Sequence, residues 1–147
     1  MSSWDKRWMD LCNLVASWSK DRSTGVGAII VNGRNTVVAL GWNGFPRGVN
    51  DNVDERHERP AKYSWTSHAE ENAVCNAASK GGAGTVGCKI YVNWYPCCPC
   101  ARMIIQAGIV ELIGIEPDWN HHKYGDDFKL VKEMLAEAGV KVRFYNA

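Results

Sequence analysis

The sequence predicts an α/β fold, a three-layer α/β/α arrangement around a mixed central sheet of about five strands. Strand-like and helix-like runs alternate through the second half of the chain. The strand-like runs there are continuously apolar, as expected of strands covered on both faces and joined by parallel crossovers. A hairpin-like pair precedes them, which makes the sheet mixed. One domain spanning 1–147 holds all of this, because 147 residues with 46% hydrophobic content can bury one substantial core.

From Trp4 to about Ser19, Trp8, Leu11, Val15 and Trp18 recur at helical spacing, with Asp5, Lys6, Asp10 and Lys20 on or beside the opposite face. This predicts an amphipathic helix whose aromatic stripe serves a core or a subunit contact. The polar turn Lys20-Asp21-Arg22-Ser23-Thr24 follows, readable as a solvated loop or as an anion contact. Val26–Val31 and Thr36–Trp42 flank Asn32-Gly33-Arg34-Asn35, a pairing that predicts a hairpin. Gly41, Gly44, Pro46 and Gly48 then break the chain in GWNGFPRGVND. Residues 49–62 are charged and poor in apolar side chains, so an exposed excursion is expected, with His57 solvated. HAEENAVCNAAS reads as a helix with an apolar face. Lys89–Trp94 predicts a strand, Cys97–Ala107 a helix stopped at Gly108, and Ile109–Ile115 a buried strand. Phe128, Val131, Leu135 and Ala138 line a last helix capped by Gly139, and Val140, Val142 and Phe144 alternate in a final strand.

Two short stretches carry the chemistry. His68-Ala69-Glu70 and Pro96-Cys97-Cys98-Pro99-Cys100 supply three borderline or soft metal ligands and one spare carboxylate. Cys97 and Cys100, three apart, share one face if a helix begins near Pro96, and its positive end favours the thiolate. His68 opens a second helix, so two helix ends can converge on one Zn2+. Three protein ligands leave a fourth position for water, whose pKa zinc can lower to about 7. Glu70 then transfers the proton, and hydroxide attack on an amidine-like ring carbon would release ammonia. The competing reading is a closed zinc knuckle in which Cys98 or Cys75 is the fourth ligand and Glu70 caps a helix.

Composition narrows the field. With 17 basic and 16 acidic residues there is no global attraction for nucleic acid, so no polynucleotide partner is expected and a small substrate is favoured. Six cysteines are crowded rather than spread, and no membrane-length apolar run occurs, which predicts a reducing cytoplasmic setting and no membrane. Cys12 and Cys88 read as small buried hydrophobes.

H-x-E followed by P-C-x-x-C is the signature of zinc nucleobase deaminases. SKDRSTGVGAIIVN, GWNGFPRGVND, KYSWTSHAEENAV, YVNWYPCCPCARMIIQAGI and EAGVKV together resemble the deoxycytidylate deaminases, within the cytidine deaminase-like superfamily and fold. The resemblance implies conversion of dCMP to dUMP and ammonia, a supply step for thymidylate, with His68, Cys97 and Cys100 as zinc ligands and Glu70 as proton shuttle. It implies that Asn43 bonds the sugar hydroxyl and that the ring lies against Ala69 and either Trp94 or Tyr95. Adjacent positions of a strand end face opposite ways, so at most one of those two should line the pocket. Phosphate is expected near Lys20, Ser23 and Tyr124, and His121 and His122 at the surface. Family members are often homohexamers switched by dCTP and dTTP. The resemblance therefore implies a homo-oligomer and a regulatory nucleotide, with Mg2+, on the loop of Gly41, Gly44, Arg47 and Gly48. The chain departs from the family after Ala77-Ala78, where Ser79-Lys80 replaces a frequent arginine. Alternatives are the same chemistry on dCTP, free cytidine or tRNA adenosine, and a noncatalytic zinc-stabilised binding module.

Overall fold

A computed structural model describes residues 2–81 and 84–146. Its sheet has five strands in the order β2-β1-β3-β4-β5: β1 Gly27–Val31, β2 Val37–Trp42, β3 Lys89–Val92, β4 Glu111–Gly114 and β5 Lys141–Phe144. β1 runs antiparallel to β2 and β3, while β3, β4 and β5 are parallel, so the expected mixed sheet is present. The helices are α1 Ser3–Ala16, α2 Lys62–Trp65, α3 Ala69–Ser79, α4 Cys98–Gln106 and α5 Gly125–Glu137. Alternation along β1 makes the layers. Ala28 and Ile30 point into a core with Ala73, Ala101, Ile104 and Leu135 of α3, α4 and α5, whereas Ile29 and Val31 meet Met9, Cys12 and Val15 of α1. Gly108 and Gly139 follow α4 and α5 with φ of 77° and 78°, the left-handed stops their positions predict.

α1 departs from the expected stripe. Its inward face is Asp5, Met9, Cys12, Val15 and Ala16, while Trp4 and Trp18 are about half exposed and Trp8 and Leu11 only partly buried. Close approach explains the rotation: a Cβ on Gly25 would stand 2.5 Å from the Ala16 carbonyl oxygen, and one on Gly27 would stand 2.9 Å from Ala16 N. Indoles do not fit so narrow a gap. Asp5, expected on the polar side, is tolerated inside because it is paired. Arg143 Nη1 donates to it at 2.8 Å and the Tyr91 hydroxyl at 2.6 Å. Ser2 and Asp5 also form a reciprocal capping box.

The segment 49–62 is tied down rather than loose. Asp54–His57 forms a 3-10 turn, Lys20 and Arg22 pair with Asp51 and Asp54 at 2.9 and 2.8 Å, and His57 stacks on Phe45 with its Nε2 2.6 Å from the Asp51 carbonyl oxygen. His57 is thus half-buried and hydrogen-bonded, not free in solvent. The β1–β2 reversal is also longer than a two-residue turn. Asn35 takes the positive φ of 60°, and the Asn32 side chain accepts from Arg34 N and Thr36 N.

Candidate active site

α3 is held hard against the edge strand. Asn72 and Asn76 donate to the Trp42 and Leu40 carbonyls, each at 2.7 Å, and Gly41 offers no side chain to keep the helix away. Just before α3, Ser67 and Gly44 exchange two backbone hydrogen bonds of 2.8 and 3.1 Å. His68 therefore arrives in a fixed position as the N-cap of α3, its own N–H bonded to Glu71 at 3.0 Å. Cys97 is likewise the N-cap of α4, with Cys98 and Pro99 opening the helix and Cys100 in its first turn. The helix begins one residue beyond Cys97 rather than near Pro96, because Cys97 keeps an extended backbone (φ −78°, ψ 172°).

Two helix N-termini thus bring His68, Cys97 and Cys100 together, with their ligand atoms within 4.8 Å of one another. His68 Nδ1 lies 3.3 Å from Cys100 Sγ and 3.4 Å from Cys97 Sγ. The hydrogen bond from Cys100, with help from His68, pulls the Cys97 thiol down to about 4, and the bond to Cys97 raises His68 to about 9. Cys100 is driven far up by its bond to the Cys97 thiolate and by burial. Protons shared in this way are what a thiophilic cation displaces, so one imidazole and two thiols at this spacing fit Zn2+. Neither candidate fourth ligand takes part. Cys98 turns its sulfur to Asp127 Oδ1 at 2.9 Å, and Cys75 is exposed on α3. Among the described residues the metal-ligating group is the three alone.

Glu70 is 4% exposed and lines a cavity of about 470 Å³ together with His68, Ala69 and Cys97. Burial pushes its carboxyl up to about 7. A carboxyl poised near neutrality beside a metal site can both take and give a proton.

The remaining predicted residues divide. Asn43, Ala69, Ser23, Trp94, Tyr95 and Tyr124 line this cavity. The amide of Asn43 is already engaged, accepting from Val26 N at 2.8 Å and donating to the Thr24 carbonyl at 2.9 Å. Trp94 and Tyr95 both line the cavity, against the expectation of at most one. β3 ends at Val92, so strand alternation no longer governs them. Tyr95 packs edge-on against Trp119 and Phe128, and its buried hydroxyl has no hydrogen-bond partner among the described residues. Lys20 lies elsewhere: it pairs with Asp51 beside a neighbouring cavity of about 280 Å³. Of the glycine-loop residues, Gly41 belongs to β2, Gly44 pins Ser67, Gly48 has φ 81°, and Arg47 reaches Asn76 at 2.8 Å. His121 accepts from the N–H groups of Lys123 and Tyr124, and His122 is exposed.

Sequence reasoning missed Arg59 and Asp127 as cavity residues, and Lys62 entered it only within the stretch KYSWTSHAEENAV that carries the family resemblance. The signal for Lys62 was its place six residues before His68. Arg59 carried none, since a charged, apolar-poor segment looks the same whether or not it folds over a site.

Residues 2–115 match the sequence profile of the cytidine and deoxycytidylate deaminase zinc-binding region. An uncharacterized deaminase encoded in the luxG 3' region of Aliivibrio fischeri is 41% identical over 143 residues, covering 97% of this chain and 93% of that protein. Homo sapiens deoxycytidylate deaminase is 36% identical over 145 residues, covering 95% and 78%. Among solved structures, dCMP deaminase from the cyanophage S-TIM5 in complex with dCMP and dUMP superposes with a TM-score of 0.78 at 26% identity, covering 99% of each chain. The chain belongs to the cytidine and deoxycytidylate deaminase family.

Proposed function

We propose that the protein is a zinc-dependent deoxycytidylate deaminase, converting dCMP and water to dUMP and ammonia. One observation carries this reading: three metal-ligating side chains, and among the described residues only three, meet beside a buried carboxylate that opens into a nucleotide-sized cavity. His68, Cys97 and Cys100 would hold Zn2+, which when bound supplies Lewis-acid activation of water. Glu70 takes a proton from the attacking water and delivers it to ring N3; it then takes the second proton, from the C4 hydroxyl as that becomes the carbonyl, and gives it to the departing amino nitrogen. Ala69 and the walls of Trp94 and Tyr95 enclose the base. Asn43, held by Thr24 and Val26, presents its remaining lone pair to the sugar hydroxyl.

The test is ammonia release from dCMP, dCTP, CMP, cytidine, deoxycytidine and an adenosine-bearing RNA hairpin. dCMP is expected to be the best substrate by kcat/KM. Preferential turnover of the hairpin or of free cytidine would replace this reading by another deaminase, and no turnover at all would leave a zinc-stabilised binding module.

The resemblance extends the proposal to a cytoplasmic homo-oligomer, a hexamer by analogy. All six cysteines are free, which supports a reducing setting, and no described helix is long and apolar enough to cross a membrane. Binding of dCTP or dTTP with Mg2+ at the loop of Gly41, Gly44, Arg47 and Gly48 is expected to be weakened. Lys80 donates to the Val38 carbonyl and presents a point charge where relatives often present an arginine fork.

A further inference from the structure

The cavity that holds His68 and Glu70 is lined as well by the charged and hydroxyl groups of Asp21, Arg59, Lys62 and Tyr63. Arg59 Nε donates to the Tyr63 hydroxyl at 2.8 Å and is exposed. Lys62 is different, with a side chain only 12% exposed and facing Asp21, whose side chain is 9% exposed.

The two partners of that pair are held unequally. Asp21 is anchored: its Oδ1 accepts from Ser23 N at 2.8 Å and Thr24 N at 3.0 Å, the loop that Asn43 also grips. Burial opposes its charge, but those two N–H groups and Lys62 outweigh burial and hold the carboxyl below its usual range. Lys62 is tethered loosely. Its Nζ stands 3.3 Å from each Asp21 oxygen, whereas the surface pairs Lys20–Asp51 and Arg22–Asp54 close to 2.9 and 2.8 Å. A strong charge-assisted contact of this kind is about 2.7–2.9 Å long. A fixed anion beside a cation with slack is an arrangement that an incoming anion can share.

We propose, resting on the deaminase reading above, that the Asp21–Lys62 pair selects the number of phosphate groups: Lys62 takes the 5′-phosphate, and Asp21 turns away nucleotides that carry more than one. A single phosphate accepts from Lys62 and Arg59 while leaving the Asp21 carboxylate bonded to its own loop. Each further phosphate adds negative charge beside a carboxylate that its loop bonds keep from moving aside, and like charges at close quarters disfavour binding strongly.

The experiment measures kcat/KM for deoxycytidine, dCMP and dCTP with the zinc-loaded full chain, its Asp21→Asn variant and its Lys62→Gln variant. Asparagine keeps an oxygen for Ser23 N and Thr24 N and removes only the charge. The ratio of dCTP to dCMP turnover is expected to rise about tenfold in Asp21→Asn, and the ratio of dCMP to deoxycytidine to fall about 30-fold in Lys62→Gln. An unmoved dCTP to dCMP ratio, or equal losses on dCMP and deoxycytidine in Lys62→Gln, overturns the proposal. Should Asp21→Asn melt early, Asp21→Ser, which also keeps an oxygen for the loop, reads the same ratio. Wild-type protein inactive on all three substrates overturns the deaminase reading and this proposal together, while active wild type with unmoved ratios overturns this proposal alone.

Discussion

Replacing Gly41 by alanine tests whether direct seating of α3 on β2 is what assembles the site. A Cβ at Gly41 would lie 2.6 Å from the Ala69 carbonyl oxygen and 2.8 Å from the Asn72 carbonyl carbon, both backbone atoms of α3. Ordinary contact is about 3.5–4.0 Å, so α3 must retreat by roughly 1 Å, and no flexible side chain lies between to absorb the strain. Overpacking of this kind costs about 1–3 kcal/mol of stability. The retreat moves His68 and Glu70, which stand at the helix's first turn, away from Cys97 and Cys100 on α4. A misplacement of about 1 Å can cost on the order of 100-fold in rate. Thermal melting, zinc per chain and kcat/KM for dCMP should therefore all fall in Gly41→Ala. A variant with wild-type melting and wild-type kcat/KM would refute the packing argument, and one altered only in its response to dCTP would restore Gly41 to a regulatory role.

Three other outcomes are expected. Tyr95→Phe removes a buried hydroxyl that has no partner among the described residues, so it should melt at or above the wild-type temperature, with a gain of up to about 1 kcal/mol; a clear loss would reveal a further partner. Asp5→Asn should destabilise by about 3 kcal/mol at neutral pH, since it strips a buried partner from Arg143. The bond to Arg143 outweighs burial and holds the Asp5 carboxyl well below its usual range, so its contribution is complete above about pH 4 and is lost as the pH falls toward its folded value. Denaturant unfolding of wild type against Asp5→Asn at pH 7 and pH 3 measures this, and equal differences at the two pH values would contradict it. Cys98→Ala and Cys75→Ser should each keep one zinc per chain, because neither sulfur joins the ligand group, whereas Cys97→Ser should lose it; zinc loss from Cys98→Ala would revive the closed four-ligand site.

The layered architecture was legible because burial leaves a period. Ala28 and Ile30 against Ile29 and Val31 is strand alternation between two covered faces, and glycines after α4 and α5 mark helix ends by backbone conformation alone. The candidate metal ligands stood out because zinc restricts ligand type and spacing, so His68, Cys97 and Cys100 form a recognisable set without a fold. α1 was read one face out, since its packing is set by the close approach of Gly25 and Gly27, a feature of the opposing strand that no helical period records. Spacing before His68 marked Lys62, but nothing in the sequence said that it, rather than Lys20, would line the cavity. Which one lines the deaminase cavity depends on how 49–62 folds back, pinned by Asp51, Asp54 and His57. Trp94 and Tyr95 were misjudged for a similar reason, because β3 stops two residues before Trp94.

The most direct test of the account is the Glu70→Gln variant, assayed for zinc per chain, melting temperature and dUMP formation from dCMP. Glutamine keeps the shape of the buried side chain but can neither accept nor return the proton. The account predicts one zinc per chain, melting near wild type and dUMP formation reduced by at least about 100-fold, the scale of general acid–base catalysis. A zinc-loaded Glu70→Gln protein that still forms dUMP at the wild-type rate would contradict it.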